Sequence, residues 1–251
     1  MSQLSVVIIA HNEEENIGKC IESVKGIADE VVVVDSFSTD KTCDLAKGMG
    51  ARVIQHAFEG HIQQKNWARG QATFNYVLSL DADESLSEQL RISIIHAKQD
   101  FGADGFTMNR LNFYCGKPIK TCGWYPDKKL RIWNNDKGQW GGINPHDKFE
   151  MNPDSTISHL DGDILHNTFP TPESYLKQVE KFATISASEM KDKNVLYLVY
   201  KMIFSPPFKF VRNYFFKLGF TEGSMGFTIC FNQMREVFLK YFRAIKFKYA
   251  S

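Results

Sequence analysis

Two carboxylates, Asp81 and Asp83, stand one residue apart after the apolar run 76–80. Alternate residues leaving a strand can aim both carboxylates at one point. Mg²⁺ and Mn²⁺ prefer oxygen ligands, and one or two carboxylates with the oxygens of a diphosphate complete their coordination. A cation held there stabilises charge on a departing nucleoside diphosphate. The pattern predicts a metal site, and its alternative is a pair of loop carboxylates at the start of the next helix.

Polar clusters also follow two other apolar runs. Asp35 comes directly after the run 31–34, and residues 11–14, with sequence HNEE, follow the run 4–10. In open α/β sheets, ligands bind beyond the carboxyl ends of the parallel strands, so these clusters are expected to lie near the two aspartates. Glu14 has a second interpretation, because a carboxylate is also favourable at a helix N-terminus.

The elements that must position these residues alternate in type. Runs 4–10, 31–34, 52–54 and 76–80 are predicted as strands, and segments 17–24, 40–49 and 63–73 as helices. Ser85 and Glu88 predict a capping box for a further helix. The alternation predicts an α/β fold with a mostly parallel sheet flanked by helices. Farther along, we expect strands at 105–109 and 129–133, a hairpin loop at 134–138 and a helix at 173–190.

Three segments in this part resemble the motifs of glycosyltransferase family 2, whose enzymes have the GT-A fold. They are residues 5–24, residues 30–42 and the sequence LDADE at 80–84. Segments 130–133, 142–149, 164–166 and 219–227 resemble a narrower branch, the bacterial lipopolysaccharide or lipooligosaccharide core glycosyltransferases. The resemblance implies a metal-dependent, inverting transfer of a hexose, often glucose from UDP-glucose, to a lipid-anchored core sugar or another glycan.

The resemblance also implies which residues bind the nucleotide. Asp35 would hydrogen-bond the base. Ala10, Asn12 and Glu14 would line the nucleoside pocket. Ala10 ends the first predicted strand, and the other three residues follow the first two predicted strands.

The resemblance further implies a metal and diphosphate site. Asp81 would face the ribose or the sugar, and Asp83 would hold Mg²⁺ or Mn²⁺ with Asp81 and His166 as further ligands; a single histidine also has a structural interpretation. Lys65 and Arg131 are expected to contact the diphosphate, since Arg forks onto phosphate and Lys acts as a point charge.

The branch usually carries a His-Glu pair where this sequence has His146 and Asp147. Asp147 is therefore the candidate general base for the acceptor hydroxyl, and His146 would orient it or touch the acceptor. Aspartate is one methylene shorter than glutamate, and a loop or capping role for Asp147 is the alternative. Asp127, Asp161 and Asp163 are the other carboxylates considered for this role.

Bulk composition excludes several classes of protein. With 251 residues, 43% hydrophobic and 24% charged, the chain has material for a folded core, and a net charge of +1 argues against a dedicated nucleic-acid binder. The odd number of cysteines, five, does not suggest a disulfide framework. Without a basic, apolar leader at its start, the chain is predicted to be cytoplasmic.

Charge changes sign along the chain. Residues 1–190 contain 19 basic and 26 acidic residues, whereas residues 191–251 contain 11 basic, 3 acidic and 16 Phe and Tyr residues. Cations interleaved with aromatic rings suit the headgroup layer of an anionic membrane, so we expect peripheral contact with the inner face of the cytoplasmic membrane. The alternative is that these rings form a helical core.

The predicted organisation has a nucleotide-sugar-binding half at 1–100, an acceptor-binding half at 101–190 and a basic, aromatic helical extension at 191–251. Two other functions stay open. A polyprenyl-phosphate sugar synthase would share the N-terminal motifs and differ in its acceptor. A non-catalytic, membrane-associated binding protein would have kept only the fold.

Overall fold

The structure is a computed structural model that describes residues 2–143, 146–190 and 192–249, apart from the side chains of Ile143 and His146. The chain divides into unit 1, which contains Met1–Leu111 and Asp127–His166, and unit 2, which contains Asn112–Pro126 and Asn167–Ser251. The boundaries predicted at residues 100 and 190 stay a prediction, because these units divide the chain by contacts and not by role.

The first strands of unit 1 form the parallel part of its sheet. They are β1 (Leu4–Ala10), β2 (Glu30–Asp35), β3 (Arg52–Gln55) and β4 (Tyr76–Asp81), in the spatial order β3-β2-β1-β4. β1 and the second half of β2 are almost entirely buried, as expected for apolar runs covered on both faces of a parallel sheet. All four strands occur where the sequence predicts them.

Helices connect these strands. They are α1 (Ile17–Val24), α2 (Thr42–Gly48) and α3 (His61–Arg69). The spacing of apolar residues in α1 places one stripe against the sheet. The residues of this stripe are all buried: Ile17, Cys20, Ile21 and Val24.

The capping box predicted for the next helix is wrong. Helix α4 (Glu88–Ala97) is capped by Ser87, whose side chain accepts a hydrogen bond from the backbone N–H of Leu90 at 3.3 Å. Ser85 lies instead in the short strand β5 (Glu84–Leu86), where it is buried. Pairing with a distant strand, β11 (Ile157–Phe169), makes this segment extended and delays the start of the helix.

Antiparallel strands complete the large sheet. Beyond β4 the order continues β8 (Asp127–Asn134), β6 (Gly105–Tyr114), β11 and β5, and β7 (Lys117–Pro118) pairs with β6. Gly162 allows β11 to pass α4, because its φ is +107° and an added Cβ would lie 2.3 Å from the backbone nitrogen of Leu90. Parallel strands, antiparallel strands and flanking helices together confirm the predicted α/β class.

The hairpin expected at 134–138 is wrong. Strand β9 (Gly138–Ile143) pairs with β10 (His146–Met151) in a separate two-stranded sheet, so the turn before it connects two sheets. The Arg69 guanidinium fixes this turn by donating hydrogen bonds to the backbone oxygens of Asn135 at 2.9 Å and Gly138 at 2.6 Å. Arg69 therefore has a structural role.

Unit 2 is mainly helical. It contains α5 (Pro172–Ser188), α6 (Val195–Val211), a π-helical turn (Arg212–Phe216), a 3₁₀ turn (Gly219–Glu222) and α7 (Gly223–Tyr249). The helical C-terminal extension expected from the sequence is thus confirmed. Among the described residues, no helix combines the length and the apolar character that a membrane span requires.

The core of unit 2 combines apolar and polar contacts. Tyr175, Ile229 and Cys230 are buried in one apolar cluster. Beside it, the Asn213 side-chain amide donates to Gln233, and Gln233 donates to the backbone oxygen of Cys122 at 3.1 Å. Because these amides are buried, their hydrogen bonds fix the relative positions of the π-helical turn and α7.

Candidate functional site

Asp81, at the end of β4, lies between two buried cations. Lys65 Nζ is 3.1 Å from Asp81 Oδ1, and Arg131 Nη2 is 3.3 Å from Asp81 Oδ2; the side chains of Lys65 and Arg131 are each only 4% exposed. Burial raises the pKa of Asp81, but the two cations outweigh it and hold this pKa well below its usual range. Asp81 is therefore ionised, and the structure brings together three residues that the sequence analysis assigned to donor binding.

Glu84 holds both Arg131 and the backbone of Asp81 in place. Its side chain is fully buried, its Oε1 accepts a hydrogen bond from Arg131 at 2.6 Å, and its Oε2 accepts one from the backbone N–H of Asp81 at 3.0 Å. Burial lowers the pKa of Arg131, but Glu84 and Asp81 raise it above its usual value. Glu84 was not among the site residues predicted from the sequence, although its carboxylate directly follows the aspartate pair.

Removing the charge of Glu84 is expected to destabilise unit 1. The substitution Glu84→Gln keeps the shape of the side chain but weakens a buried ion pair, and such losses cost about 3–5 kcal/mol. We expect the lower end of this range, because Asp81 still faces Arg131. Urea unfolding at pH 7, followed by circular dichroism, measures the change.

The matched control for this substitution is Glu88→Gln. Glu88 is 79% exposed and pairs with Arg91 on the same helix, so its loss should change the free energy of unfolding by less than about 1 kcal/mol. Equal effects of the two substitutions would show that Glu84 does not carry the stability assigned to it.

Asp83 pairs with His166. The His166 Nε2 atom is 3.1 Å from Asp83 Oδ2, and both side chains are partly exposed, His166 by 14% and Asp83 by 27%. β11 creates this pair by placing His166 opposite Glu84 of β5. The structure therefore brings together two of the three predicted metal ligands, whose positions in the sequence are 83 residues apart.

One carboxylate oxygen and one imidazole nitrogen form a donor set that fits Mn²⁺, and Mg²⁺ when oxygen ligands from substrate and water complete the shell. Within the described residues, no group of three or more His, Cys, Asp or Glu side chains is arranged to hold a metal ion. Asp81 is already engaged by its two cations. Asp83 and His166 are thus the protein groups best suited to a divalent cation.

Glu13 adds negative charge near this pair. Burial raises the pKa of Glu13, the hydrogen bond from Asn16 opposes that change, and the charges of Asp83, Asp40 and Asp81 raise the pKa further. A bound cation would relieve this mutual repulsion. Glu13 was not among the site residues predicted from the sequence, although it lies in the same polar segment as Asn12 and Glu14.

Asp147, the candidate base, lies on the small sheet and contacts Lys65. The Asp147 Oδ2 atom is 2.8 Å from Lys65 Nζ, and the Asp147 side chain is 13% exposed. Lys65 therefore bridges Asp147 and Asp81. The side chain of His146 lies outside the described residues; its backbone pairs with Ile143.

Helix α3 holds the small sheet in this position. The Asn66 side-chain amide donates to the backbone oxygen of Trp140 at 2.9 Å and accepts from its backbone N–H at 3.0 Å. The Trp140 ring also lies under Lys65, with Nζ 4.7 Å from the ring centroid. These contacts fix the carboxylate of Asp147 relative to the ammonium of Lys65.

The other carboxylates considered as bases have different surroundings. Asp127 accepts hydrogen bonds from Arg110 at 2.8 and 3.0 Å. Asp161 is exposed, and Asp163 is half-buried with its backbone bonded to Ser87. Of these aspartates, only Asp147 has a described contact with Lys65.

Asp35 lies at the end of β2, opposite Ala10 of β1. It is fully buried and accepts hydrogen bonds from the backbone N–H of Ser38 at 2.9 Å and from the Ser38 hydroxyl. Its carboxylate therefore shapes the loop after β2. The structure brings Asp35 and Ala10 together at the carboxyl ends of neighbouring parallel strands.

Asn12 and Glu14 bind the same loop from the other side. The Asn12 side-chain oxygen accepts from the backbone N–H of Thr39 at 2.9 Å, and Glu14 Oε2 accepts from the backbone N–H of Lys41 at 3.0 Å. Asn12 has a φ of +54°, which asparagine tolerates better than most residues. The loops after β1 and β2 are thus joined where a nucleoside is expected.

Comparison with known proteins identifies the family. Residues 5–149, more than half of the chain, match the model of Glycosyl transferase family 2. The chain belongs to glycosyltransferase family 2. The matched residues include every predicted nucleotide- and metal-site residue except His166, and the fold is the GT-A type expected from the resemblance.

Relatives that match over most of their length are also glycosyltransferases by name. An uncharacterized glycosyltransferase of Rickettsia typhi is 29% identical over 237 residues, which cover 90% of this chain and 81% of the relative. The lipopolysaccharide core biosynthesis glycosyltransferase LpsC of Rhizobium meliloti is 28% identical over 221 residues, covering 84% and 80%. The resemblance to the core glycosyltransferases noted from the sequence is confirmed.

Two solved structures are more distant neighbours. Glucosyl-3-phosphoglycerate synthase of Mycobacterium tuberculosis, crystallised with Mn²⁺, UDP and glucosyl-3-phosphoglycerate, is 26% identical over 45% of this chain and 44% of its own, with a TM-score of 0.36. Staphylococcus aureus TarS 1–349 is 15% identical over 99% and 92%, with a TM-score of 0.46. At such TM-scores, neither structure indicates where this chain would bind its substrates.

Proposed function

We propose that this glycosyltransferase is a metal-dependent, inverting hexosyltransferase. It moves a hexose from a nucleotide-sugar, UDP-glucose or a similar donor, to a sugar of a lipopolysaccharide or lipooligosaccharide core. The observation that carries the proposal is the Lys65 bridge, which holds Asp81 on the donor side and Asp147 on the acceptor side within reach of one ammonium group. The naming of the relative LpsC for core biosynthesis supports the acceptor class.

The donor site uses the loops after the parallel strands. Asp35 hydrogen-bonds the base, and Ala10 at the end of β1 encloses the nucleoside together with the joined loops that carry Asn12 and Glu14. Hydrogen bonds within the protein, at 2.9 and 3.0 Å, hold these loops together, so the shape of the pocket does not depend on the donor.

The diphosphate binds near the buried cations. Lys65 and Arg131 are already positioned by Asp81, so their charges are available without reorganisation. Asp83 and His166 would hold Mg²⁺ or Mn²⁺, with Asp81 as a further ligand that keeps its ion pairs to Lys65 and Arg131. Such a cation would neutralise the charge that develops on the leaving nucleoside diphosphate.

Asp147 acts as the general base. It removes the proton of an acceptor hydroxyl, the hydroxyl oxygen forms a bond to the sugar C1, and the bond from C1 to the diphosphate oxygen breaks with its electron pair on the leaving group. Attack from the opposite side inverts the anomeric carbon. Lys65 orients the Asp147 carboxylate, and the role expected for His146, to orient Asp147 or to touch the acceptor, stays a prediction.

The acceptor determines where the enzyme works. A core sugar anchored to lipid is met at the inner face of the cytoplasmic membrane, and the proposal includes peripheral contact with anionic lipid there. The excess of basic residues in 191–251, 11 against 3 acidic ones, supports that contact.

Calorimetric titration with UDP-, GDP- and dTDP-sugars, with and without Mn²⁺, tests the donor assignment. We expect one UDP-sugar to bind, and Mn²⁺ to strengthen its binding by about tenfold or more, since tenfold corresponds to only about 1.4 kcal/mol. A panel in which no nucleotide-sugar binds would contradict the proposal.

The same titration with the variant Asp35→Asn tests whether Asp35 binds the nucleotide. The loss of a charged hydrogen-bond acceptor, worth about 1.5–3 kcal/mol, should weaken donor binding about 10- to 100-fold. Asp44→Asn is the control, because Asp44 is an exposed carboxylate on the neighbouring helix α2. Equal affinities of the two variants would remove Asp35 from the nucleotide site.

A further inference from the structure

Helix α6 exposes large apolar side chains along one face. Leu196, Tyr200, Phe204 and Phe208 follow one another at intervals of four residues, which places them on the same side of the helix. Leu196 is 80% exposed and Phe208 67% exposed. Ile203 on α6 and Phe216 in the following π-helical turn extend the surface, which we call the α6 face: Leu196, Tyr200, Ile203, Phe204, Phe208 and Phe216.

The other side of α6 is apolar as well. Leu198 is fully buried in a cluster with Tyr241 and Ala244 of α7, and Pro206 is also buried. Helices that are apolar all round normally lie in a protein interior or in contact with lipid. Six large, exposed apolar side chains are grouped on the α6 face, and grouped exposure of this kind marks a contact surface, whereas single exposed apolar residues do not.

The charges around this face indicate which occupant it takes. Between residues 195 and 221 the sequence has no Asp or Glu and has four cations: Lys201, Lys209, Arg212 and Lys217. Arg212 and Lys217 are exposed. A second copy of the same face would place like charges against one another, which disfavours self-association. Anionic headgroups would neutralise the two exposed cations, Arg212 and Lys217, while the rings enter the interface.

We propose that the α6 face is a docking surface for an anionic lipid bilayer. The rings of Phe204, Phe208 and Phe216 enter the boundary between headgroups and acyl chains, and α6 lies in the plane of the interface. This inference rests on the proposed function for its biological purpose, since a lipid-anchored acceptor lies at such a surface. The binding itself involves unit 2 and requires neither donor nor metal.

Co-sedimentation with vesicles tests the docking surface. The full chain is mixed with vesicles of phosphatidylcholine alone or with about one third phosphatidylglycerol, at low and high salt. We expect binding to the anionic vesicles, at least tenfold weaker binding to the neutral ones, and a decrease at high salt because exposed charges are screened. Absence of binding to anionic vesicles would overturn the proposal.

The double substitution Phe208→Ser/Phe216→Ser locates the surface. Both rings are mostly exposed, so the fold should be retained, and circular dichroism and donor titration verify it. We expect at least tenfold weaker vesicle binding. The control is Phe58→Ser, which removes a ring that is 51% exposed in unit 1 and should leave vesicle binding unchanged.

Two further outcomes would overturn the proposal. The double variant could bind vesicles as tightly as the original chain, or light scattering could show a dimer that the two substitutions dissociate, which would make the face a contact between copies. Vesicle binding without any affinity for nucleotide-sugars would leave the docking surface supported and refute the proposed function instead, so the two failures are distinguishable.

Discussion

Replacing Asp147 by Asn is expected to lower kcat about 10²- to 10⁴-fold, the usual contribution of a general base. Asparagine keeps an oxygen that can accept the hydrogen bond from Lys65, which lies 2.8 Å from the carboxylate in the structure. The substitution therefore removes basicity with little change in shape. Donor affinity, measured by calorimetry, should change less than about threefold, since the loss concerns proton transfer and not ground-state binding.

A second aspartate provides the control for this prediction. Asp161 lies on β11 and is exposed, so Asp161→Asn should leave kcat within about twofold. Initial rates at saturating donor and acceptor give kcat for both variants. Full activity of Asp147→Asn would exclude Asp147 as the base. An equally large decrease of kcat in Asp161→Asn would show that the effect is not specific to Asp147.

Replacing Asp83 by Ala is expected to reduce transfer by at least about 10³-fold and to remove its dependence on Mn²⁺. Charge stabilisation by a bound cation is worth several kcal/mol, and each 1.36 kcal/mol is about a tenfold change in rate. The partner of Asp83 is His166, at 3.1 Å, so His166→Ala should also weaken the response to Mn²⁺. Rates measured across a series of Mn²⁺ concentrations distinguish weaker Mn²⁺ binding from a lower maximal rate of transfer.

Asp100→Ala is the matched control, because Asp100 is an exposed carboxylate three residues after the end of α4 and has no proposed role in the site. Its rate and its Mn²⁺ dependence should equal those of the original chain. If Asp83→Ala keeps the full Mn²⁺-dependent rate, Asp83 does not hold the cation, and the metal assignment is wrong.

Local patterns were sufficient to predict the parallel half of the sheet. β1, β2 and β4 are continuous apolar runs, and the buried stripe of α1 follows helical spacing, so neighbouring residues contain the signal. The start of α4 was predicted wrongly because β5 is only three residues long and depends on pairing with β11. No pattern within the segment reveals a partner more than seventy residues away.

The same limit applies to the site. The sequence placed Asp81 and Asp83 at a strand end, and the structure puts Asp81 at the last position of β4. The bridge from Lys65 to Asp147 joins residues 82 positions apart, and the pairing of Glu84 with Arg131 joins residues 47 apart. Such ion pairs arise from tertiary packing, so charge type alone could not predict them.

In unit 2 the composition predicted an aromatic, basic tail, but only the contacts in the structure tell which of its aromatic side chains are buried. Some aromatic side chains of the tail are core, as Tyr241 is, whereas Phe208 and Phe216 are mostly exposed. Membrane contact and a helical core were the two alternatives for these rings. The buried ones, such as Tyr241, belong to the helical core, and membrane contact stays a proposal for the exposed rings of α6.

Release of UDP from a UDP-sugar, measured with lipopolysaccharide core acceptor in Mn²⁺ and then in a chelator, tests the proposed transfer directly. We expect UDP release that requires both the acceptor and the divalent cation, with the hexose recovered on the acceptor in inverted configuration. UDP release at the same rate in the chelator, or a transferred hexose that retains its anomeric configuration, would contradict it.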